Sequence, residues 1–146
     1  MFNVIDYLEN SVKLHRSKIA VIEEDKKLTY SELNNYSKRV GSFIASKSIF
    51  NEPIIIFMDK GIDTLISFFG SDYAGCYYSL INPEFPESRI MQIKSVIKSR
   101  FVITDSEHLE LAKKYFDGYI VKDIKEINNL SNSNLCIGQE LIIPTL

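Results

Sequence analysis

Apolar residues along this chain recur at two different spacings, and the alternation between them divides it into helices and strands. Val4, Leu8 and Val12 fall four apart, which predicts an amphipathic helix over the first dozen or so residues, with one stripe that needs a covering surface. Ile19 to Glu23 and Lys27 to Tyr30 are short β-prone runs joined by the polar Glu24-Asp25-Lys26, the pattern of a hairpin, expected as an edge feature. Ser31 stands where a second helix needs its N-cap, and Leu33, Tyr36, Val40, Phe43 and Ile44 continue that helix's stripe.

Beyond Pro53 the pattern changes to the unbroken run Ile54-Ile55-Ile56-Phe57-Met58, as in a strand covered on both faces. Ile62, Leu65, Ile66, Phe69 and Tyr73 return to helical spacing, with Gly75 placed to end the helix. Tyr77 to Ile81 reads as a second apolar strand, and Asn82 to Pro86 as a turn. Pro86 and Glu87 open a helix that carries Ile90, Ile93, Val96 and Ile97 inward. Phe101 to Thr104 is then a strand, Ser106 to Phe116 a helix capped by Ser106, and Tyr119 to Val121 a short strand. Strand and helix in this order predict an α/β fold: a mostly parallel open sheet with helices on both faces, preceded by a helix and a β-hairpin. Residues 123–146 read as a loop and tail, Asn/Ser-rich from Asn128 to Asn134, with Leu141-Ile142-Ile143 beginning a last apolar element.

With 146 residues the chain has room for one domain or one lobe of a larger one, and the expectation is a single partial domain over 1–146. A formal charge of -2 offers no positive field to hold a phosphate backbone, so no nucleic-acid partner is expected. No apolar run is long enough to cross a bilayer and the N-terminus lacks a signal-peptide pattern, so the expected location is cytoplasmic, without a membrane partner. Cys76 and Cys136 form no Cys-x-x-Cys pairing; Cys76, at the head of an apolar run, reads as a small buried residue.

An open parallel sheet binds ligands beyond the carboxyl ends of its strands, which singles out Asp59-Lys60-Gly61 after the isoleucine run. With one glycine and no phosphate-loop spacing there, the plain reading is a strand-to-helix turn with Asp59 as the helix cap. His15 and His108 stand apart from other ligand-type residues at metal spacing and read as surface histidines. Glu107 and Glu110, three apart beside Lys113 and Lys114, read as one solvated helix face. Ser31, Ser67, Ser71 and Ser79 lack the Gly-x-Ser-x-Gly elbow of a nucleophile. Catalytic residues: none are expected, and the same holds for cofactor-binding and metal-ligating residues.

Three ordered segments resemble the N-terminal part of amino-acid adenylation domains, the family of nonribosomal peptide synthetase modules and D-alanine:carrier-protein ligases. Leu28-Thr29-Tyr30-Ser31-Glu32-Leu33 looks like the family's Leu-Thr-Tyr-x-Glu-Leu signature, and Ile56-Phe57-Met58-Asp59-Lys60-Gly61 resembles its next strand and helix start. Asp72 to Ile90, through Tyr73-Ala74-Gly75-Cys76-Tyr77 and Asn82-Pro83-Glu84-Phe85-Pro86-Glu87-Ser88-Arg89, follows the stretch Lys-Ala-Gly-x-Ala-Tyr-x-Pro-Ile-Asp-Pro-x-Tyr-Pro-x-Glu-Arg-Ile without gaps. It departs from that pattern at Leu80, Asn82 and Ser88. The prolines read as scaffold, with Arg89 tying its helix to a neighbour.

The resemblance implies an ATP- and Mg²⁺-dependent parent enzyme that joins an amino acid to ATP as an acyl adenylate, releases pyrophosphate, and loads a carrier-protein thiol. In the family, a later Ser/Thr- and Gly-rich loop ending Pro-Lys-Gly holds the phosphates, and a lysine from a C-terminal lid completes catalysis. The expectation is thus a lobe whose partners are the remainder of the adenylation domain and, for the parent, a carrier protein, with no cofactor bound by these residues. Two other readings stand beside it: an interaction module that self-associates or pairs through its sheet edge, and the matching lobe of an acyl- or aryl-CoA ligase.

Overall fold

A computed structural model describes residues 3–128; Cys136 and the Leu141 to Ile143 run lie outside them. Helix α1 spans Val4–His15, and the Asn3 and Asp6 side chains each bond the other's backbone N–H at its start, a capping box. Strands β1 (Ile19–Glu23) and β2 (Lys26–Thr29) pair antiparallel through a two-residue turn, Glu24-Asp25, with Glu24 at φ 54°. The turn is therefore one residue shorter than the polar run suggests. The hairpin is also a sheet of its own rather than an edge of the main one.

Helix α2 spans Tyr30–Ser46 and is capped by Thr29, not Ser31. The Thr29 hydroxyl accepts from the Glu32 N–H at 3.1 Å, and the Glu32 carboxylate accepts from the Thr29 N–H at 2.9 Å. That reciprocal pair satisfies two otherwise orphaned donors, which Ser31, already inside the first turn, cannot do.

Four parallel strands follow, β3 (Pro53–Phe57), β4 (Tyr77–Ile81), β5 (Phe101–Thr104) and β6 (Ile120–Asp123), in the spatial order β4-β3-β5-β6. Helices α3 (Ile62–Tyr73), α4 (Glu87–Val96) and α5 (Leu109–Tyr115) connect them. Side chains alternate along β3, and the two faces feed separate cores. Ile54, Ile56 and Met58 join a cluster with Leu8 of α1, Val40 and Ile44 of α2 and Ile66 of α3. Ile55 and Phe57 join the other, with Ile90 of α4, Ala112 of α5 and Phe116. Helices thus cover both faces, as the repeated strand–helix pattern predicts.

Helices α2 and α3 approach closely where two glycines meet the other helix. A Cβ on Gly70 would stand 2.5 Å from the Val40 side chain, and one on Gly41 2.7 Å from the Tyr73 Cβ. Gly75 ends α3 at φ 72°, in the left-handed region that glycine enters at no steric cost.

Three expectations fail here for local reasons. Val96 is 79% exposed, because at the free end of α4 it lies round the helix from the line of Ile90, Ile93 and Ile97. Among the described residues Arg89 ties its helix to no other; its guanidinium stacks over the Phe85 ring at 4.1 Å, shielding an apolar face at the turn. The presumed loop and tail from 123 onward begins with structure: Asp123 completes β6 and residues 124–128 are helical, with Ile124 and Ile127 fully buried.

One ionisable group on α3 works against the fold. Asp72 is half-buried in the last turn, and desolvation pushes its carboxyl up from 3.8 to about 6. The folded chain therefore holds this proton more tightly than the unfolded one, and stability falls as pH rises through that interval. Asp72→Asn is expected to raise the melting temperature more at about pH 8 than at about pH 4. Equal gains at both would show that ionisation is not the cause.

Candidate functional site

The chain leaves β3 for β4 on one side, then crosses back to β5 on the other. The boundary between β3 and β5 is therefore the point at which strand order reverses, where open α/β sheets hold ligands beyond the strands' carboxyl ends. The Thr104 hydroxyl donates to the Phe57 carbonyl at 2.6 Å, tying the two strand ends together. Past them lies an open crevice of about 460 Å³ between the β3–α3 and β5–α5 connections and the hairpin.

On the β3 side, Gly61 rather than Asp59 is the N-cap of α3. The Gly61 N–H donates to Thr64 Oγ1 at 3.2 Å, and the Thr64 hydroxyl donates to the Asp59 carbonyl at 2.7 Å. The helix N-terminus, which the Asp59-Lys60-Gly61 turn offers as a phosphate site, already faces a carboxylate of this chain. Glu23 at the end of β1 accepts from the Ile62 N–H at 3.3 Å, meeting the positive end of the α3 dipole. A side chain at Gly61 would begin 2.0 Å from Glu23 Oε1, so glycine is what lets the carboxylate in.

On the β5 side, Asp105 Oδ1 accepts from the His108 N–H at 2.9 Å and lies 2.7 Å from His108 Nδ1. His108 is not a surface histidine: its side chain is 13% exposed and edge-on to the Phe57 ring. Its Nε2 faces the exposed Asp59 carboxylate, 3.9 Å from Oδ2. Glu107 stands beside them, ahead of α5 rather than on its face, and one donor atom each from Asp59, Glu107 and His108 lie within 4.8 Å of one another. Ser106 caps nothing; its hydroxyl donates to Asp123 Oδ2 at 2.7 Å, bracing the loop against β6.

Six carboxylates and three lysines line the crevice, so its field is negative. Asp63 registers that crowding: burial first, then the Glu23 charge, push its carboxyl up.

The remaining sequence candidates stay apart. His15 is exposed at the end of α1. Glu110 pairs with Lys113 at 3.7 Å on the solvated side of α5. Ser67 and Ser71 donate to helix carbonyls at 2.8 Å. Cys76 is buried, and its thiol is pushed up by that burial. Sequence reasoning misses the Asp105–His108 pair and its approach to Asp59. The Asp-x-x-His spacing is a visible signal, but the meeting with Asp59 depends on β3 and β5 lying side by side.

Comparison with known proteins places this architecture. The AMP-binding enzyme family model matches residues 8–137. N-(5-amino-5-carboxypentanoyl)-L-cysteinyl-D-valine synthase of Penicillium rubens is 30% identical over 104 residues, 70% of this chain and 3% of that protein. Nonribosomal peptide synthetase fmqA of Aspergillus fumigatus is 30% identical over 107 residues, 73% of this chain and 3% of that protein. The chain thus spans only a few per cent of the length of these two curated relatives. O-succinylbenzoate coenzyme A synthetase of Bacillus subtilis, solved in complex with ATP and magnesium ion, superposes with a TM-score of 0.71 at 24% identity, over 84% of this chain and 33% of that one. The match to most of its residues, on a fold shared with a solved synthetase, establishes that this chain belongs to the AMP-binding enzyme family.

Proposed function

We propose that these residues form the N-terminal lobe of an amino-acid-activating unit. The unit as a whole condenses an amino acid with ATP, the carboxylate oxygen displacing pyrophosphate to leave an aminoacyl adenylate, and then passes the acyl group to a carrier-protein thiol. In that division of labour the lobe supplies a rigid two-faced sheet. Groups that neutralise the triphosphate, together with Mg²⁺, come from other parts of the unit, so this chain alone does not adenylate. The observation that carries the reading is Glu23: the helix N-terminus best placed to receive a phosphate is held by the chain's own carboxylate, and the field around it is negative.

Similarity to a nonribosomal peptide synthetase and to the cysteinyl-valine synthase supports the amino-acid branch over a CoA ligase, as does the gap-free Pro83-Glu84-Phe85-Pro86 stretch. A second reading, self-association through the sheet edge, draws on β4. This edge strand carries no charge, and Tyr77 and Tyr78 are exposed on it.

Titrating Mg-ATP calorimetrically into the chain is expected to give no saturable heat, whereas a polypeptide that continues the same reading frame through a Ser/Thr-Gly-rich loop should show amino-acid-dependent ATP–pyrophosphate exchange. Saturable micromolar ATP binding by the chain alone would overturn the proposal. Light scattering of the same sample addresses the second reading, which a concentration-independent monomer would remove.

A further inference from the structure

From the geometry at the strand-order reversal we infer a site for a late first-row divalent cation such as Zn²⁺, held by His108, Asp59 and Glu107 and separate from any Mg²⁺ that accompanies ATP. The argument begins with the imidazole. Asp105 Oδ1 lies 2.7 Å from Nδ1, so Nδ1 is the ring nitrogen already engaged. Nε2 is the ring nitrogen left to coordinate. It faces Asp59 Oδ2 at 3.9 Å, a gap that a ring proton or a bound cation can occupy.

A divalent cation between them would take the place of that ring proton. One imidazole nitrogen and two carboxylate oxygens, with the other ring nitrogen anchored on an outlying carboxylate, make the arrangement by which protein zinc sites orient their histidines. This mixed donor set suits Zn²⁺ or Co²⁺ better than Mg²⁺, which takes oxygen ligands in a rigid octahedron. Tetrahedral ligands about 2.0–2.2 Å from zinc sit roughly 3.4 Å apart. The donor atoms here lie within 4.8 Å of one another, and Asp59 and Glu107 are both exposed, so the two carboxylates can close the remaining gap by rotating their side chains.

Two further observations bear on the same place. The three donors stand where the topology opens the sheet to a ligand, Asp59 following β3 and Glu107 and His108 following β5. Counting the two liganding carboxylates, acidic groups outnumber lysines around the crevice by six to three, giving a field that concentrates cations. A metal there would cross-link the β3–α3 and β5–α5 connections and fix the mouth of the crevice.

The test is a titration of the full 146-residue chain with Co²⁺, read by its visible absorption, and with Zn²⁺ in competition with a chromophoric chelator. The background carries His15→Ala and Cys136→Ser, which removes the second histidine and one of the two cysteines. Saturable binding of one ion is expected, weakened roughly tenfold or more by Asp59→Asn, Glu107→Gln or His108→Ala, and also by Asp105→Asn, which touches no metal. Millimolar Mg²⁺ should not compete. Because His108 packs on Phe57, its variant can lose structure; the exposed Asp59 and Glu107 variants keep the test decisive, with circular dichroism confirming their fold. Absence of saturable Co²⁺ or Zn²⁺ binding, or binding indifferent to all four substitutions, would overturn the site. Either result is independent of ATP binding and leaves the proposed adenylation role to its own test.

Discussion

Phe57→Ala is expected to cost about 3–5 kcal/mol of folding free energy. Phe57 ends the central strand β3, is fully buried, and faces the core on the α4–α5 side of the sheet. Its ring meets Phe116 and Tyr115 edge-on at centroid distances of 5.5 and 6.2 Å, and His108 at 6.3 Å. Alanine removes the buried area and those oriented contacts together, and a parallel strand bonded on both sides cannot collapse into the space. Since whole domains are stable by only about 5–15 kcal/mol, urea denaturation should find the midpoint greatly lowered or the chain largely unfolded. A cost below about 1 kcal/mol would mean that the site can close over the cavity, contrary to the packing described.

Gly70→Ala is expected to destabilise by about 1–3 kcal/mol, although alanine is the better helix former by about 1 kcal/mol. The two effects compete, and distance decides between them. The new methyl would lie 2.5 and 2.6 Å from Val40 side-chain atoms and 3.1 Å from the Ser37 carbonyl oxygen. Val40 is buried and its χ1 is stiff, so relief requires the two helices to separate. Trimming the obstacle provides the control: Val40→Ala should cost stability alone yet reduce the penalty of Gly70→Ala in the double variant, a coupling measurable by denaturation of all four proteins. A stabilised Gly70→Ala would show that the helices slide apart freely.

Elements governed by near neighbours are legible in the sequence. The Ile54 to Met58 run reads as a doubly covered strand because every residue in it must be apolar when helices lie on both sides. Gly75 reads as a helix end because the left-handed conformation there favours glycine. Some local signals mislead when taken singly. The Thr-x-x-Glu box at Thr29 and Glu32 outweighs Ser31 as the cap, and β-propensity alone starts the second hairpin strand one residue too late. What the sequence does not carry is what the tertiary fold joins: Glu23 at the start of α3, a bond 39 residues across the sequence, and His108 turned toward Asp59. Exposure of Val96 and the helical residues 124–128 likewise depend on where the neighbouring layers end.

Because the sheet divides the interior, Ile56 and Phe57, adjacent in the chain, belong to separate apolar compartments. The strands' backbone lies between them, so substitutions on opposite sides that share no partner should combine additively. Such a molecule can be altered one storey at a time: the floor beneath stays fixed while the rooms above or below are refitted.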